Sequence, residues 1–175
     1  MSPEMKKLSE SPLLTSKDKE LILQQCDNQG TTSPEQILGF ALAYADAKQT
    51  MESGMIRFGS DALLFAPMVL ETKIKEWAKL IEPRNEGGFR KIPVVFRSGN
   101  SGVFLYLVVH IMDRFYSQYI AIGKVTPEEM YRWFEVIHPF EDGNGRLGHL
   151  LWAMATKAKT GEWPETLPPE PDWMK

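Results

Sequence analysis

The chain is poor in the residues that would place it in several large classes. It has a single cysteine, Cys26, among 175 residues, which rules out an internal disulfide and fits a reducing compartment such as the cytoplasm. No apolar run reaches the roughly 18 residues that a membrane-spanning helix needs. The longest candidate, Val103 to Met112, is interrupted by Tyr106 and His110 and ends at Asp113. Positive charge is not in excess: the formal net charge is −3, so there is no basic footprint for nucleic acid or an anionic membrane. No Gly-x-x-x-x-Gly-Lys-Ser/Thr run is present, and a P-loop nucleotidase is not supported. Met1 to Glu10 carries acids and lysines with no apolar segment behind them, so no secretory leader is expected. Internal repeats and long low-complexity tracts are also missing.

A hydrophobic content of 43% with 25% charged residues is what one globular domain with a sizeable core requires. Residues 1–16 and 164–175, rich in Pro, Ser and Glu, read as loosely tethered ends around a folded part spanning 17–163. Within it the periodicity is helical. Ser33-Pro34-Glu35-Gln36 has an N-cap, a proline at the first helical position and a glutamine placed for a capping box. That helix should stop near Ser53-Gly54. Another opens at Pro67 and ends before Pro83, with Leu70, Ile74, Trp77, Ala78 and Ile81 at helical spacing. A third is expected from about Ser101 to Ile120. Thr126 caps the next, which buries Met130, Trp133, Phe134 and Ile137. The last begins near Asn144, carries Leu147, Leu150, Leu151 and Met154, and fades at Thr160-Gly161. The fold class is mainly α, with about five or six helices.

Arg84 to Asn100 breaks this pattern. Turn residues at Gly87-Gly88 and Ser98-Gly99-Asn100 bracket the run Phe89 to Phe96, which reads as a small β-hairpin or bent strand, with Pro93 confined to an edge. The most informative stretch follows the fourth of these helices: His138-Pro139-Phe140-Glu141-Asp142-Gly143-Asn144-Gly145-Arg146. An imidazole, a hard-cation ligand, a glycine-rich anion nest and a guanidinium fall in one loop and the first turn of a helix. Asp-Gly and Asn-Gly are everyday turn formers when alone. Together, these residues suit a phosphate ester handled with a metal ion.

The run resembles the signature of Fic-domain proteins, H-x-F-x-D/E-G-N-G-R-x-x-R. Every position is matched except the last, where His149 stands in place of arginine. The resemblance covers about residues 35–160 and implies a Fic-type helical bundle with a β-hairpin flap over 84–100 and the motif at 138–149. It implies transfer of AMP from ATP to a Tyr, Thr or Ser hydroxyl of a target protein. In that reading His138 is the catalytic base, suited to taking an alcohol's proton near neutral pH, and Phe140 is a peg that docks the loop. Asp142 holds Mg²⁺ across the nucleotide phosphates. Gly143, Asn144 and Gly145 form the phosphate nest, Arg146 is a clamp, and His149 occupies the second clamp position. Arg90, Ile92 and Val94 lie on the flap that docks an extended target segment.

The departure at His149 has consequences. Arginine is always charged and forks onto phosphate, whereas histidine is mostly neutral at pH 7. Losing one charge-assisted contact is worth about 1.5–3 kcal/mol, so another nucleotide or phosphate-containing donor, or a non-catalytic Fic-like binding module, stands as the alternative. The intact Gly-Asn-Gly argues against the kinase-like Doc toxins, which have Ala-Asn-Lys there. Family inhibition runs through a helix marked Ser/Thr-x-x-x-Glu-Gly/Asn. Ser16 to Glu20 is a partial match that a helix cap explains equally well, and a separate antitoxin-like protein is an equally compatible partner.

Overall fold

Helix boundaries follow the caps that the chain provides. In the computed structural model, which describes residues 3, 10–59, 66–96, 98–121 and 125–170, Thr15 and Asp18 exchange backbone and side-chain hydrogen bonds of 2.7 and 3.1 Å. This capping box opens α1, Ser16–Asn28. Ser33 caps α2, Pro34–Glu52, but Gln36 does not complete the expected box: its amide donates to Glu82 at 2.5 Å. Helix α3, Ala66–Ile81, stops ahead of Pro83, and a 3₁₀ turn follows over Pro83–Gly87. Thr126 and Glu129 box the start of α5, Pro127–Ile137. Finally, α6, Asn144–Thr160, ends at Gly161 with φ +84°.

The helix expected from Ser101 starts later. A 3₁₀ turn at Leu105–Leu107 leads into α4, Val108–Ala121, because Ser101 and Gly102 are engaged elsewhere. Ser101 bridges Val95 in antiparallel fashion, and the Gly102 N–H donates to the Val94 carbonyl at 3.2 Å. The run 94–102 therefore folds back on itself around Gly99, φ +83°. That single bridge is the extent of the β pairing among the described residues. Pro93 and the turn residues leave too few backbone donors in line for a ladder. Arg97 lies outside the described residues.

Every residue of α6 from Asn144 to Ala155 is buried, which makes it the central helix. A helix covered on all sides must be surrounded: α5, α2, α3 and α1 all pack on it. Phe40 and Tyr44 of α2, Leu70, Ile74 and Trp77 of α3, Phe115 and Tyr119 of α4 and Phe134 of α5 complete the core. Each such side chain withdrawn from water stabilises the fold by about 1.5–3 kcal/mol. Helices α2 and α3 approach so closely at Gly39 that a Cβ there would lie 1.9 Å from the Leu80 carbonyl oxygen.

The ends are anchored further out than composition suggests. Leu14 is buried in the core. Lys48 of α2 pairs with Asp18 of α1 at 2.7 Å and stands 5.3 Å from the Trp163 ring, which in turn packs on Tyr44. Pro168 is buried as well. Apolar burial and one cation thus fasten the C-terminal segment at Trp163 and Pro168; Trp173 and most of residues 1–9 lie outside the described residues. Among the described residues no helix is long and apolar enough to cross a membrane.

Candidate functional site

The loop between α5 and α6 is built around the backbone of His138. This residue caps α5 in the left-handed region, φ 49° and ψ 61°, the one non-glycine with positive φ among the described residues. Such a conformation costs about 1–2 kcal/mol and persists only where neighbours enforce it. Arg90 does so. It is 3% exposed; Nε donates to the His138 carbonyl at 2.7 Å and Nη1 to the Ile92 carbonyl at 2.9 Å. Nη2 donates to the carbonyls of Val103 and Ile137, and the Arg90 N–H donates to Pro139 at 2.8 Å. One guanidinium thus satisfies orphan carbonyls at the C-terminal end of α5, where positive charge is also favoured by the helix dipole.

The rest of the loop is pinned from within. Phe140 is fully buried, the peg its sequence position suggested. Asn144 holds both sides of its backbone, accepting from Phe140 N at 3.0 Å and donating to Phe140 O at 2.9 Å. Asn85 donates to the Asp142 carbonyl at 2.9 Å and to Ala78 at 3.2 Å, tying the loop to the end of α3.

The His138 ring is 20% exposed. Phe96 meets it edge-on, with centroids 5.1 Å apart, and Nδ1 lies 3.3 Å from the Glu135 carbonyl oxygen. Burial, helped by the Arg90 charge, pushes its pKa down to about 4, although the Glu135 carbonyl and Asp142 act the other way. The ring is therefore neutral at pH 7. With Nδ1 turned toward α5, Nε2 is the nitrogen left for the cavity.

That cavity, of about 370 Å³, opens at the N-terminus of α6 and is lined by His138, Asp142, Gly143, Asn144 and Gly145 together with Gln29, Phe96, Glu135 and Glu170. Gly143 is the N-cap, φ +76°, and no side chain caps the helix. The first-turn N–H groups and the dipole of a long helix thus face the hollow, which is how helices receive anions. Asp142 is half-exposed; its Oδ1 accepts the Gly143 N–H at 2.6 Å and its Oδ2 meets Arg84 at 2.6 Å. Two larger hollows, of about 750 and 740 Å³, lie along α3 and contain none of these groups.

Several expectations need correction. His149 does not stand beside Arg146 at the cavity: it is 0% exposed, among the rings of Phe40, Tyr44 and Trp152. Burial pushes its pKa down to about 3. Arg146 is buried too, with Nη1 on the Ile81 carbonyl at 3.0 Å and Nη2 4.0 Å from Asp142, so its main contact is the C-terminus of α3. The Asn144 side chain braces the loop and leaves only its backbone to a ligand. Of the three residues expected on a docking flap, Arg90 is buried on backbone carbonyls, Ile92 is exposed and Val94 half-buried. Glu20 pairs with Lys17 on the outer face of α1, away from the cavity.

The groups missed in the sequence come from distant segments. Arg84 stands over Asp142, held by Glu82 at 2.9 Å. Gln29, just past α1, covers Gly145 so closely that a Cβ there would lie 1.6 Å from its Nε2. Glu170 arrives with the C-terminal segment. Only Glu135 left a signal, as an acid on the inner side of an amphipathic helix one turn before His138. No family model matches the chain, and no curated protein matches it.

Proposed function

We propose that this chain is a Fic-type transferase that moves a nucleoside monophosphate, AMP from ATP, onto a hydroxyl side chain of a target protein. The observation that carries this reading is the single cavity holding a neutral imidazole, a half-exposed carboxylate and an uncapped helix N-terminus. The hydroxyl proton passes to Nε2 of His138, its oxygen bonds to the α-phosphorus, and the bond to the departing diphosphate breaks with its electron pair. The Gly143 N–H is taken by Asp142, so the N–H groups of Asn144 and Gly145 hold phosphate oxygens, and Arg84 supplies an exposed guanidinium beside Asp142. General-base help of this kind is worth about 10²–10⁴-fold.

Asp142 would hold Mg²⁺. Among the described residues no group of three or more His, Cys, Asp or Glu side chains is arranged for a metal, and a lone half-exposed carboxylate suits magnesium only when phosphate oxygens complete its shell. Bound there, the ion would neutralise charge on the phosphates. The exposed Ile92 and Val95 on the segment that covers His138 offer an edge on which an extended target segment can lie.

The test is incubation with each labelled nucleoside triphosphate and Mg²⁺, followed by intact-protein mass measurement. The expected result is a nucleotide adduct that disappears in His138→Asn, a variant that tolerates the left-handed backbone. The absence of an adduct with every donor, on itself and on lysate proteins, overturns the transferase reading in favour of a non-catalytic binding module. A diphosphate or other donor outperforming ATP would match the second reading, which rests on His149 being unable to reach a phosphate.

A further inference from the structure

Glu135 has no assigned part in that chemistry. It lies on α5, one turn before His138, and is 0% exposed. Neither carboxyl oxygen accepts a hydrogen bond from a described residue, an unfavourable state for so polar a group. The fold nevertheless makes room for it. A Cβ at Gly148 of α6 would lie 2.3 Å from Oε1 and 2.9 Å from the Tyr131 ring. Oε2 stands 3.9 Å from Nδ1 of His138, and the side chain borders the same cavity.

We propose that Glu135 is the positioning residue of this site: its carboxyl stands behind His138, favours the tautomer that leaves Nε2 open to the cavity, and offsets the positive charge formed when Nε2 takes a proton. The proposal rests on reading His138 as the base. The same division of labour, a buried acid orienting an imidazole through Nδ1, operates in hydrolytic triads. Other charges face the pair. Arg90 opposes charging of the ring and Asp142 favours it; Tyr131 borders Glu135 on α5, Glu141 and Glu170 line the same cavity, and Gly148 is the α6 residue that faces Oε1. Burial pushes the Glu135 pKa up to about 8, so raising the pH through that value ionises it and makes the ring a stronger base.

The experiment follows the His138 ring resonances by NMR across pH in the wild type and in Glu135→Gln, with the exposed His110 as reference. An inflection near pH 8 at His138 that vanishes in the variant is expected. In parallel, kcat for nucleotide transfer should fall about tenfold or more in Glu135→Gln with KM unchanged and the rise near pH 8 lost, and Glu135→Asp should recover part of it. Identical His138 titrations in both proteins, or a raised KM with kcat intact, would overturn the proposal. The wild-type inflection is informative even if the variant folds poorly. A wild type that transfers no nucleotide defeats the transferase reading alone, because the resonances still report whether the two side chains are coupled.

Discussion

The first and second turns of α6 are adjacent in sequence and lie in different media. Gly143 to Gly145 lines a cavity at the helix N-terminus, which no side chain caps. Leu147 to Leu150 is sealed in the core, and His149 there has neither ring nitrogen hydrogen-bonded to a described residue. Two histidines mark the contrast. His138 is held neutral beside a carboxyl and an opening; His149 is held neutral by three aromatic rings. Both have a depressed pKa, so the shift alone does not identify a functional group. Access to a ligand does.

The largest effect that would break or keep this distinction is on transfer itself. On the proposed transferase reading, His138→Asn should lower the rate of nucleotide transfer by about 10²–10⁴-fold while changing stability little. His149→Phe should leave the rate within about a factor of 3, since an equally flat ring fills the same box and relieves two unpaired nitrogens. Rates measured on both variants at one pH decide it; equal losses would mean that the buried histidine reaches the chemistry after all.

Next in size is the substitution that completes the Fic signature. His149→Arg should not improve nucleotide affinity. It places a charge among Phe40, Tyr44 and Trp152, and an unpaired buried charge destabilises by about 3–5 kcal/mol. Denaturant unfolding and nucleotide titration of this variant test the geometry directly. Higher triphosphate affinity without loss of stability would show that the second turn opens toward the cavity. Arg90→Met should follow, with about 2–4 kcal/mol lost as the carbonyls of Ile137 and His138 at the end of α5 and those of Ile92 and Val103 lose their donor. Arg90→Lys should recover little, because an ammonium lacks the fork that reaches them.

Local signals made the helices legible. Ser33, Thr126 and Pro83 placed boundaries within a residue of those observed because caps and proline act on their immediate neighbours. Ser101 misled because its partner, Val95, lies across a turn and one bridge removes a helix's first turn without altering composition. In the site, His138, Asp142 and Gly143 to Gly145 come to one cavity because they are contiguous, whereas Arg146, next in the run, turns to the Ile81 carbonyl. Arg84, Gln29 and Glu170 were not legible, since they arrive through helix packing from three separate segments. Arg90 was misread for a related reason: a basic residue in an exposed-looking run gives no sign that carbonyls from α5 will surround it.

The smallest effect concerns pH and separates the two histidines without any assay of activity. A base whose folded pKa lies below its unfolded value binds protons preferentially when unfolded, so its contribution to stability is complete above that unfolded value, near 6.5, and is lost as pH falls toward about 4 for His138 and about 3 for His149. Glu135 runs in the opposite direction: its folded pKa of about 8 exceeds the ordinary 4.5, so stability falls as pH rises between those values. From pH 4.5 to 6.5 two histidines oppose one glutamate, and stability should climb with pH; from 6.5 to 8 only the glutamate acts, and it should decline. His149→Phe removes one of the two opposing histidines and should level the acid limb, while Glu135→Gln should level the alkaline one. Thermal midpoints across this range measure both slopes, and an acid limb unchanged in His149→Phe would mean that the aromatic box does not hold that ring neutral.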